Sequence, residues 1–364
     1  MAKKNSRITI RDISRRARVS PGTVDRVIHS RGGVSEKTKS LVLAIIRDMN
    51  YQPDILARTL ASRKTIRIAA LYPGKKIGGA FWELPVKGID RAMEEISHFG
   101  VVVDKFPFDR SGANSFERVT EKALSISPDG ILIAPVFTRE ARILSQRCSR
   151  KGISFVYINS TVPGQHYLSF IGQDSLASGK VAASLIHHCI DPNSRVLIVN
   201  ISGDIDNQLH LLSREKGFRS HMTNVLGRKK SLVTSLDIPD NGLQSISKAL
   251  DACFGRINNV EAIFVTNSRV FHVAHWLSKV NQNKIFLAGY DLLPESISYM
   301  QQGVIDYLIS QKPEEQVYRG IMSLFQRLVL NKNVASTQFL PIDIITSENV
   351  MFYETPMFLE TQTK

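Results

Sequence analysis

The sequence has few cysteines and no long apolar run. Its three cysteines, Cys148, Cys189 and Cys253, are scattered over 364 residues without the spacing of metal ligands. We expect each to be a buried free thiol, which suits a reducing cytoplasm better than a disulfide-stabilised secreted protein. No stretch approaches the roughly 20 apolar residues that span a bilayer. No apolar run follows the basic segment 1–6, so a secretory signal is not indicated either.

Motifs of the common enzyme classes are also missing. The chain contains no Gly-x-Gly-x-x-Gly, P-loop, Gly-x-Ser-x-Gly or His-Glu-x-x-His sequence. Among its nine histidines, the pairs His187 with His188 and His272 with His275 fall in amphipathic helical patterns, which favours packing or surface positions. We therefore predict a protein that is not an enzyme and uses neither a cofactor nor a metal.

Acidic residues are scarce in the first 65 residues. This segment has fifteen Lys and Arg against five Asp and Glu, and thereby carries ten of the fourteen net positive charges of the chain. Such asymmetry indicates a polyanionic partner for the N-terminal segment. The alternative is a basic, solvated surface that has no partner.

The same segment has the pattern of short helices joined by a tight turn. Thr9 and Ser20 are placed as N-caps of the first two helices, and Asp12 completes a capping box with Thr9. Pro21 is tolerated at the first helical position because its N–H would have no intrahelical partner. Apolar residues recur on the inner faces, at Ile10, Ile13, Ala17, Val24, Val27 and Ile28. Two short helices joined so closely predict a helix-turn-helix, whose second helix enters the major groove of DNA.

Two further helices are expected before the pattern changes. Ser35 is placed to cap a third helix, which runs to about Met49 and turns Leu41, Val42, Ile45, Ile46 and Met49 inward. Residues 54–62 have a helical pattern of about nine residues, which is marginal in water. Because it carries Arg58 and precedes Arg63 and Lys64, this segment is a candidate for folding only on its target.

From Ile66 onward, short β-branched runs alternate with helical segments. Strands are predicted at 66–72, 101–106, 130–135, 153–158, 195–201, 231–236, 261–266 and 285–290. This alternation predicts parallel sheets covered by helices, and it has more units than one open sheet usually holds. The predicted fold class is α/β: two lobes of doubly wound parallel sheet, preceded by an all-α helix-turn-helix domain. A ligand is expected in the cleft between the lobes, at the carboxyl ends of the strands.

Two sets of residues carry a resemblance to known proteins. The first consists of Thr9 to Ile13, Val19-Ser20, Thr23-Val24, Arg26-Val27, Val34-Ser35, Thr38, Asn50 to Pro53, Ala57-Arg58 and Leu60. It resembles the lactose-repressor/galactose-repressor (LacI/GalR) family of bacterial transcription regulators. The second consists of Phe81-Trp82, Gly88-Ile89, Gly172 to Asp174, Gly179, Arg214, Gly217-Phe218, Thr266-Asn267, Gly289 to Asp291, and Gly303 with Gln311 to Pro313. It resembles the periplasmic sugar-binding-protein fold used as a sensor.

The resemblance implies a domain organisation and an assembly. It predicts a DNA-binding domain at 1–52, a hinge helix and linker at 53–64, and an effector-binding and dimerisation domain at 65–364. Within the last of these, one lobe comprises about 65–168 plus 296–332, and the other about 169–295 plus 333–364. A cytoplasmic homodimer, or a tetramer built from two dimers, would place two heads on a near-palindromic operator in double-stranded DNA.

The resemblance also implies which residues contact DNA. Arg26 is expected to contact guanine in bidentate fashion. Asp25 stands where relatives have a small residue, and it either accepts from a cytosine N4 or braces Arg26. Leu60 is expected to wedge into the minor groove and kink the duplex, unless it packs the linker onto the sensor. Thr9, His29, Arg31 and Lys37 are expected at phosphates. The remaining predicted contacts are Ser20, Pro21, Gly22, Thr23, Ala57 and Arg58, although Pro21 and Gly22 lack the large polar side chains of relatives.

Effector contacts are expected at strand ends. Phe81 or Trp82 would place an aromatic face against a sugar ring, with core packing as the alternative. The other predicted contacts, with structural or hinge roles as their alternatives, are Asp109, Arg110, Asp174, Arg214, Asn267, Asp291 and Gln311. Because Arg110 and Arg214 also suit an anion, a neutral sugar, a sugar acid and a sugar phosphate all stay open. The rival function is a constitutive architectural DNA-binding protein with a degenerate sensor.

Overall fold

A computed structural model describes residues 8–28, 31–51, 65–74, 84–109, 112–202, 208–225, 227, 232–238, 242–280 and 284–353. The chain divides into two compact units, Met1–Ser62 and Arg63–Lys364. In the described part of the chain, no helix is long and apolar enough to cross a membrane.

The first unit contains three helices: α1 (Ile10–Ala17), α2 (Pro21–Ile28) and α3 (Glu36–Asp48). The predicted caps are confirmed. Thr9 accepts a hydrogen bond from the backbone N–H of Asp12, whose carboxylate in turn accepts from the N–H of Thr9 at 2.9 Å. The same carboxylate accepts from the Thr9 hydroxyl at 2.6 Å, and these hydrogen bonds lower the pKa of Asp12. Ser20 and Ser35 accept from the backbone N–H groups of Thr23 and Thr38 at 3.1 and 3.3 Å.

A small apolar core holds the three helices together. Its buried members are Ile13, Ala17, Val24, Val27, Val42 and Ile45. Ile10, Ile28, Ile46 and Met49 pack against this core and are only partly buried. The prediction that Leu41 faces inward was wrong, because its side chain is 49% exposed. Three short helices enclose too little volume to bury both Leu41 and its neighbour Val42.

The second unit alternates strands and helices. Its first half contains β1 (Ile66–Pro73), α4 (Leu84–Ile96), a 3₁₀ turn (Ser97–Phe99), β2 (Val101–Phe108), α5 (Ala113–Ser125), β3 (Gly130–Ile133), α6 (Thr138–Lys151), β4 (Ser154–Ile158) and β5 (Ser169–Gly172). Its second half up to β9 contains α7 (Ser175–His187), β6 (Arg195–Ile201), α8 (Leu209–Ser220) with a π-helical turn (His221–Val225), β7 (Val233–Ile238), α9 (Leu243–Phe254), β8 (Val260–Val265), α10 (Val270–Leu277) and β9 (Phe286–Tyr290). The chain continues with α11 (Pro294–Gln301), β10 (Tyr307–Ser310), α12 (Pro313–Leu328), β11 (Thr337–Phe339), β12 (Asp343–Ile345) and a 3₁₀ turn (Val350–Phe352).

The strands form two six-stranded sheets, as the predicted fold class requires. The first has the order β11-β5-β4-β3-β1-β2 and is parallel throughout. The second has the order β12-β10-β9-β8-β6-β7 and is parallel except for β12. Apolar side chains of α5 and α6 pack on one face of the first sheet, and those of α7 and α8 on one face of the second. The opposite face of the second sheet packs against α9, α10 and α11.

The predicted residue ranges of the two lobes were wrong where the chain crosses from one lobe to the other. Strand β5 lies in the first sheet, because it pairs with β4 and β11. Residues 296–310 lie in the second lobe rather than the first, because β10 pairs with β9 and β12. The chain therefore crosses between the sheets after β5, after β10 and after β11. Two thiols also differ from their prediction: Cys148 is buried as expected, whereas Cys253 is only partly buried and Cys189 is exposed.

Candidate functional site

Helix α2 presents a polar, uncovered face. Pro21, Gly22 and Arg26 are exposed, whereas Val24 and Val27 are buried against the other two helices. In the described part of the chain, Arg26 has no ion-pair partner, while the neighbouring acidic side chains Asp12, Asp25, Glu36 and Asp48 are paired with other residues. The guanidinium of Arg26 is therefore available to an external acceptor.

Hydrogen bonds and an ion pair connect several residues around this face. Asp25 accepts a hydrogen bond from the Arg31 guanidinium at 3.2 Å, an ion pair that differs from both predicted roles of Asp25. The Ser20 and Thr23 hydroxyls lie 2.9 Å apart, and both hold the start of α2. Thr9 is exposed at the start of α1, and Lys37 is exposed in the first turn of α3. Seven predicted contacts lie outside the described residues: His29, Ala57, Arg58, Leu60, Phe81, Trp82 and Arg110.

The second unit has a cleft where strands of both sheets end. Its wall on the first lobe follows β3 and β4, and its wall on the second lobe follows β6 and β8 and includes the start of α8. Gln311, directly after β10, also lines it. The other described lining residues are Ala134, Pro135, Val136, Asn159, Ser160, Ile201, Ser202, Gln208, His210, Leu211, Arg214, Asn267, Ser268 and Arg269. This is the position expected for a ligand between two parallel sheets.

A buried polar network lies on the second-lobe side of the cleft. The guanidinium of Arg214, which is 2% exposed, donates to the Thr266 carbonyl at 2.7 Å and to the side-chain oxygen of Gln311. It stacks 3.8 Å from the centre of the Tyr290 ring, whose hydroxyl lies 2.7 Å from that of Ser178. The Nε of Arg214 has no hydrogen-bond partner in the described part of the chain. Such a network fixes the side chain of Arg214 at the edge of the cleft.

Asp291 lies behind this network rather than on the cleft surface. Its two carboxylate oxygens accept from the backbone N–H of Gln311 at 3.1 Å and from the Gln311 side-chain amide at 2.5 Å. Burial raises the pKa of Asp291 to about 6, although Arg214 and the hydrogen bonds from Gln311 oppose the shift. Burial also lowers the pKa of the Arg214 guanidinium. Asp291 therefore acts through Gln311, which it holds in place for Arg214.

A second polar pair shapes the loop after β8. The Asn267 amide donates to the Ile201 carbonyl at 2.6 Å, and its oxygen accepts from the backbone N–H of Arg269 at 3.1 Å. Gln208, His210 and Arg269 line the cleft and were not predicted from the sequence. Ser268 and Arg269 directly follow Asn267 at a strand end, so the strand-end rule already applied to Asn267 was the signal that could have found them.

Two predicted contacts lie away from the cleft lining. Asp174 is the N-cap of α7, where its carboxylate accepts from the Ala177 N–H at 2.9 Å, and it lines a more open neighbouring pocket. The backbone N–H of Asp109 donates to the Ser115 hydroxyl at 2.8 Å near the start of α5. The structure thus brings Arg214, Asn267 and Gln311 together around the cleft, with Asp291 behind them.

Comparison with known proteins gives two family matches. The model of the family "Periplasmic binding protein domain" matches residues 71–332, and that of "Bacterial regulatory proteins, lacI family" matches residues 9–54. Catabolite control protein A of Streptococcus mutans is 27% identical over 217 residues, which are 58% of this chain and 61% of that protein. The match therefore spans less than two thirds of that relative.

Solved structures give the same result for the fold. A protein from Bacteroides fragilis assigned as a LacI transcriptional regulator is 29% identical, with a TM-score of 0.72 over 80% of this chain and 100% of that chain. An ABC-transporter solute-binding protein from Burkholderia graminis, in complex with D-arabinose, is 18% identical, with a TM-score of 0.68 over 79% and 97%. The chain belongs to the periplasmic binding protein domain family and carries, at residues 9–54, the DNA-binding domain of the lacI family of bacterial regulatory proteins.

Proposed function

We propose that this protein is a LacI-type, DNA-binding transcription regulator whose operator affinity is controlled by a small sugar-like effector. The observation that carries the proposal is a helix-turn-helix with an exposed Arg26 that has no ion-pair partner among the described residues, in a segment that holds ten of the fourteen net positive charges. A basic surface supplies affinity through the phosphates, and an Arg in the major groove supplies sequence selectivity.

Operator binding by a homodimer follows from this head. Two copies related by a two-fold axis match a near-palindromic site, one half-site for each α2. The hinge segment 53–62 pairs with that of the partner copy over the minor groove, where Leu60 unstacks a base step. Because a helix of about nine residues is marginal in water, its folding is sensitive to the spacing of the two copies.

The cleft supplies the control. Its enclosed space is about 50 Å³, whereas ligand pockets commonly reach about 300 Å³ or more, so an effector enters as the two lobes separate. Amide and hydroxyl groups on both walls, with guanidinium groups on the second-lobe wall, suit a polyol, and a protein of similar fold holds D-arabinose. Binding changes the lobe separation and thereby the distance between the paired hinge segments, which orders or melts them. Relatives named catabolite control proteins support a role in carbohydrate transport or catabolism.

Selection from a randomised duplex library, using the full-length protein, tests DNA recognition. We expect enrichment of a near-palindromic sequence. Arg26→Ala should weaken its binding by about 1–3 kcal/mol and relax the preference at one base pair of each half-site. Leu60→Ala should abolish the preference for the selected duplex. The exposed Arg47 at the end of α3 gives a matched control, since Arg47→Ala removes the same charge from the same unit. If both Arg26→Ala and Leu60→Ala keep full specific affinity, the docking scheme is wrong.

Fluorescence anisotropy on the selected duplex, with and without sugars, separates the regulator from its rival. A shift of operator affinity by any saturating sugar supports the sensor. Unchanged affinity across sugars, sugar acids and sugar phosphates would instead identify a constitutive architectural DNA-binding protein.

A further inference from the structure

The described lining of the cleft is electrostatically one-sided. It contains two arginines, Arg214 and Arg269, one histidine, His210, and no aspartate or glutamate. Two helices, α8 and α10, begin at this lining, and neither has an acidic residue in its first turn. Since the N-terminal end of a helix carries partial positive charge, both helices add to the positive potential in the cleft.

The charge of Arg214 is compensated within the protein. Its guanidinium donates to a carbonyl and to Gln311, lies over the Tyr290 ring, and faces the Asp291 carboxylate through Gln311. Favourable interactions with Asp291 and Tyr290 oppose the effect of burial on the pKa of Arg214. Arg214 is therefore built into the wall, and an incoming anion has to compete with these partners.

The charge of Arg269 has no such compensation. Its side chain is partly buried and lines the cleft, yet its guanidinium has no hydrogen-bond or ion-pair partner in the described part of the chain. Burial lowers the pKa of Arg269, and no carboxylate in the described part of the chain offsets this effect. The neighbouring His272 responds to the same charge: its pKa falls to about 4, first through burial and second through Arg269. A partly desolvated cation without a counter-charge is costly unless a ligand supplies one.

The backbone of Arg269 is held in position. Its N–H donates to the Asn267 oxygen, and Asn267 is anchored in turn to the Ile201 carbonyl at the end of β6. Arg269 is also the N-cap of α10, and its side chain makes no capping hydrogen bond there. The backbone hydrogen bonds thus fix the loop, and the Arg269 guanidinium takes no part in them.

From this arrangement we infer that the effector carries an anionic group, a carboxylate or a phosphate, which pairs with the Arg269 guanidinium in the cleft. A planar guanidinium matches both groups through two parallel N–H···O hydrogen bonds. The cleft amides and hydroxyls bind the hydroxyl groups of the same ligand. The inference rests on the proposed sensor role of the cleft and names the chemical class of its ligand.

Isothermal titration of the full-length protein with matched neutral and acidic sugars tests the inference. The probes are D-galactose against D-galacturonate, D-glucose against D-glucuronate, and D-glucose against D-glucose 6-phosphate. We expect saturable binding of at least one acidic member and at least 10-fold weaker binding of its neutral counterpart. Arg269→Gln should weaken binding of the acidic member about 10- to 100-fold, the loss expected for a charge-assisted pair. Arg269→Lys should fall between the two, because it keeps the charge and loses the bidentate geometry.

The exposed Arg256 in the same lobe gives the control, since Arg256→Gln makes the same charge change away from the cleft and should leave binding unchanged. Equal affinity for neutral and acidic members, full retention of acid binding by Arg269→Gln, or no saturable binding of any acidic probe each overturns the inference. The proposed function fails separately, through loss of sequence-selective DNA binding. A neutral sugar that shifts operator affinity, while every acidic probe is inert, leaves the regulator standing and removes only the anionic effector.

Discussion

Gly179→Ala is expected to force helices α7 and α8 apart. A Cβ atom on Gly179 would lie 2.0 Å from the carbonyl oxygen of Arg214 and 2.7 Å from its carbonyl carbon. The contact is reciprocal, since a Cβ on Gly217 would lie 2.0 Å from the Leu176 carbonyl oxygen. Because both opposing groups are backbone, no side chain can swing away, and α8 has to move by about 1 Å or more. That movement carries Arg214 away from Gln311 and Thr266.

We expect a cost at the upper end of the range for overpacking, about 3 kcal/mol. For a unit of this size, that cost lowers the midpoint of thermal unfolding by roughly 5–10 °C. Circular dichroism of the full-length protein measures the midpoint. Gly112→Ala is the matched control in the same unit, because a Cβ there meets nothing within 4 Å and its φ of −171° suits any residue. A Gly179→Ala protein that unfolds at the temperature of the wild type would refute the inferred close packing.

Three other predictions concern the caps, the buried carboxylate and the lobe crossings. Thr9→Ala should cost about 1 kcal/mol through loss of the capping box, seen as faster amide hydrogen exchange at the start of α1. Asp291 has a folded pKa raised to about 6 by burial, so the folded protein keeps a proton there that the unfolded chain has already lost. Wild-type stability should therefore fall, relative to Asp291→Asn, as pH rises from about 4 to 6, and the difference should be constant above that window; urea midpoints at several pH values check this. Gln173→Ala removes a buried hydrogen bond to the Ser310 carbonyl at 2.8 Å and a partly buried one to the Pro341 carbonyl at 2.9 Å, and should cost about 1–3 kcal/mol of unfolding free energy. Exposed Gln301→Ala is its control, and equal urea midpoints for the two variants would contradict this role.

Local features of the head could be predicted from sequence because their causes are local. A cap needs only a hydroxyl and an N–H three residues later, so Thr9, Ser20 and Ser35 were all identified. Leu41 could not be placed in this way. An apolar stripe shows which residues could face inward, whereas the size of the core decides how many do, and size depends on three helices together.

The alternation of strands and helices predicted two parallel sheets. It did not predict several of their shortest strands. Strands β5, β10, β11 and β12 have only three or four residues each and carry too little pattern to be recognised. Their pairing decides which lobe each segment joins, and the pairing joins segments distant in sequence. The lobe boundaries were therefore the part of the fold least accessible from sequence.

The residues of the candidate site also fall into those that could be predicted from sequence and those that needed the tertiary structure. Arg214, Asn267 and Gln311 were predicted from a resemblance and from strand ends, and all three line the cleft. The strand-end rule reaches Arg269 only as a neighbour of Asn267, and an arginine at a helix start is otherwise an ordinary surface residue in a sequence. Its importance comes from the lack of a paired carboxylate around it among the described residues, whereas Arg214 faces Asp291 through Gln311. Only the tertiary structure shows that difference between Arg269 and Arg214.

The cleft and the crossings between the lobes share residues, which bears on how binding is transmitted. Gln173 follows β5 in the first crossing, and its amide donates to carbonyls in the second and third crossings. Gln311 lies in the second crossing itself, and its side chain joins Arg214 to Asp291. A ligand that draws Arg214 away from Gln311 would thus change the contacts of a residue that lies in a connection between the two lobes. In the proposed regulator, coupling between effector and lobe angle needs no long relay, because one contact, Arg214 to Gln311, belongs both to the cleft and to the second crossing.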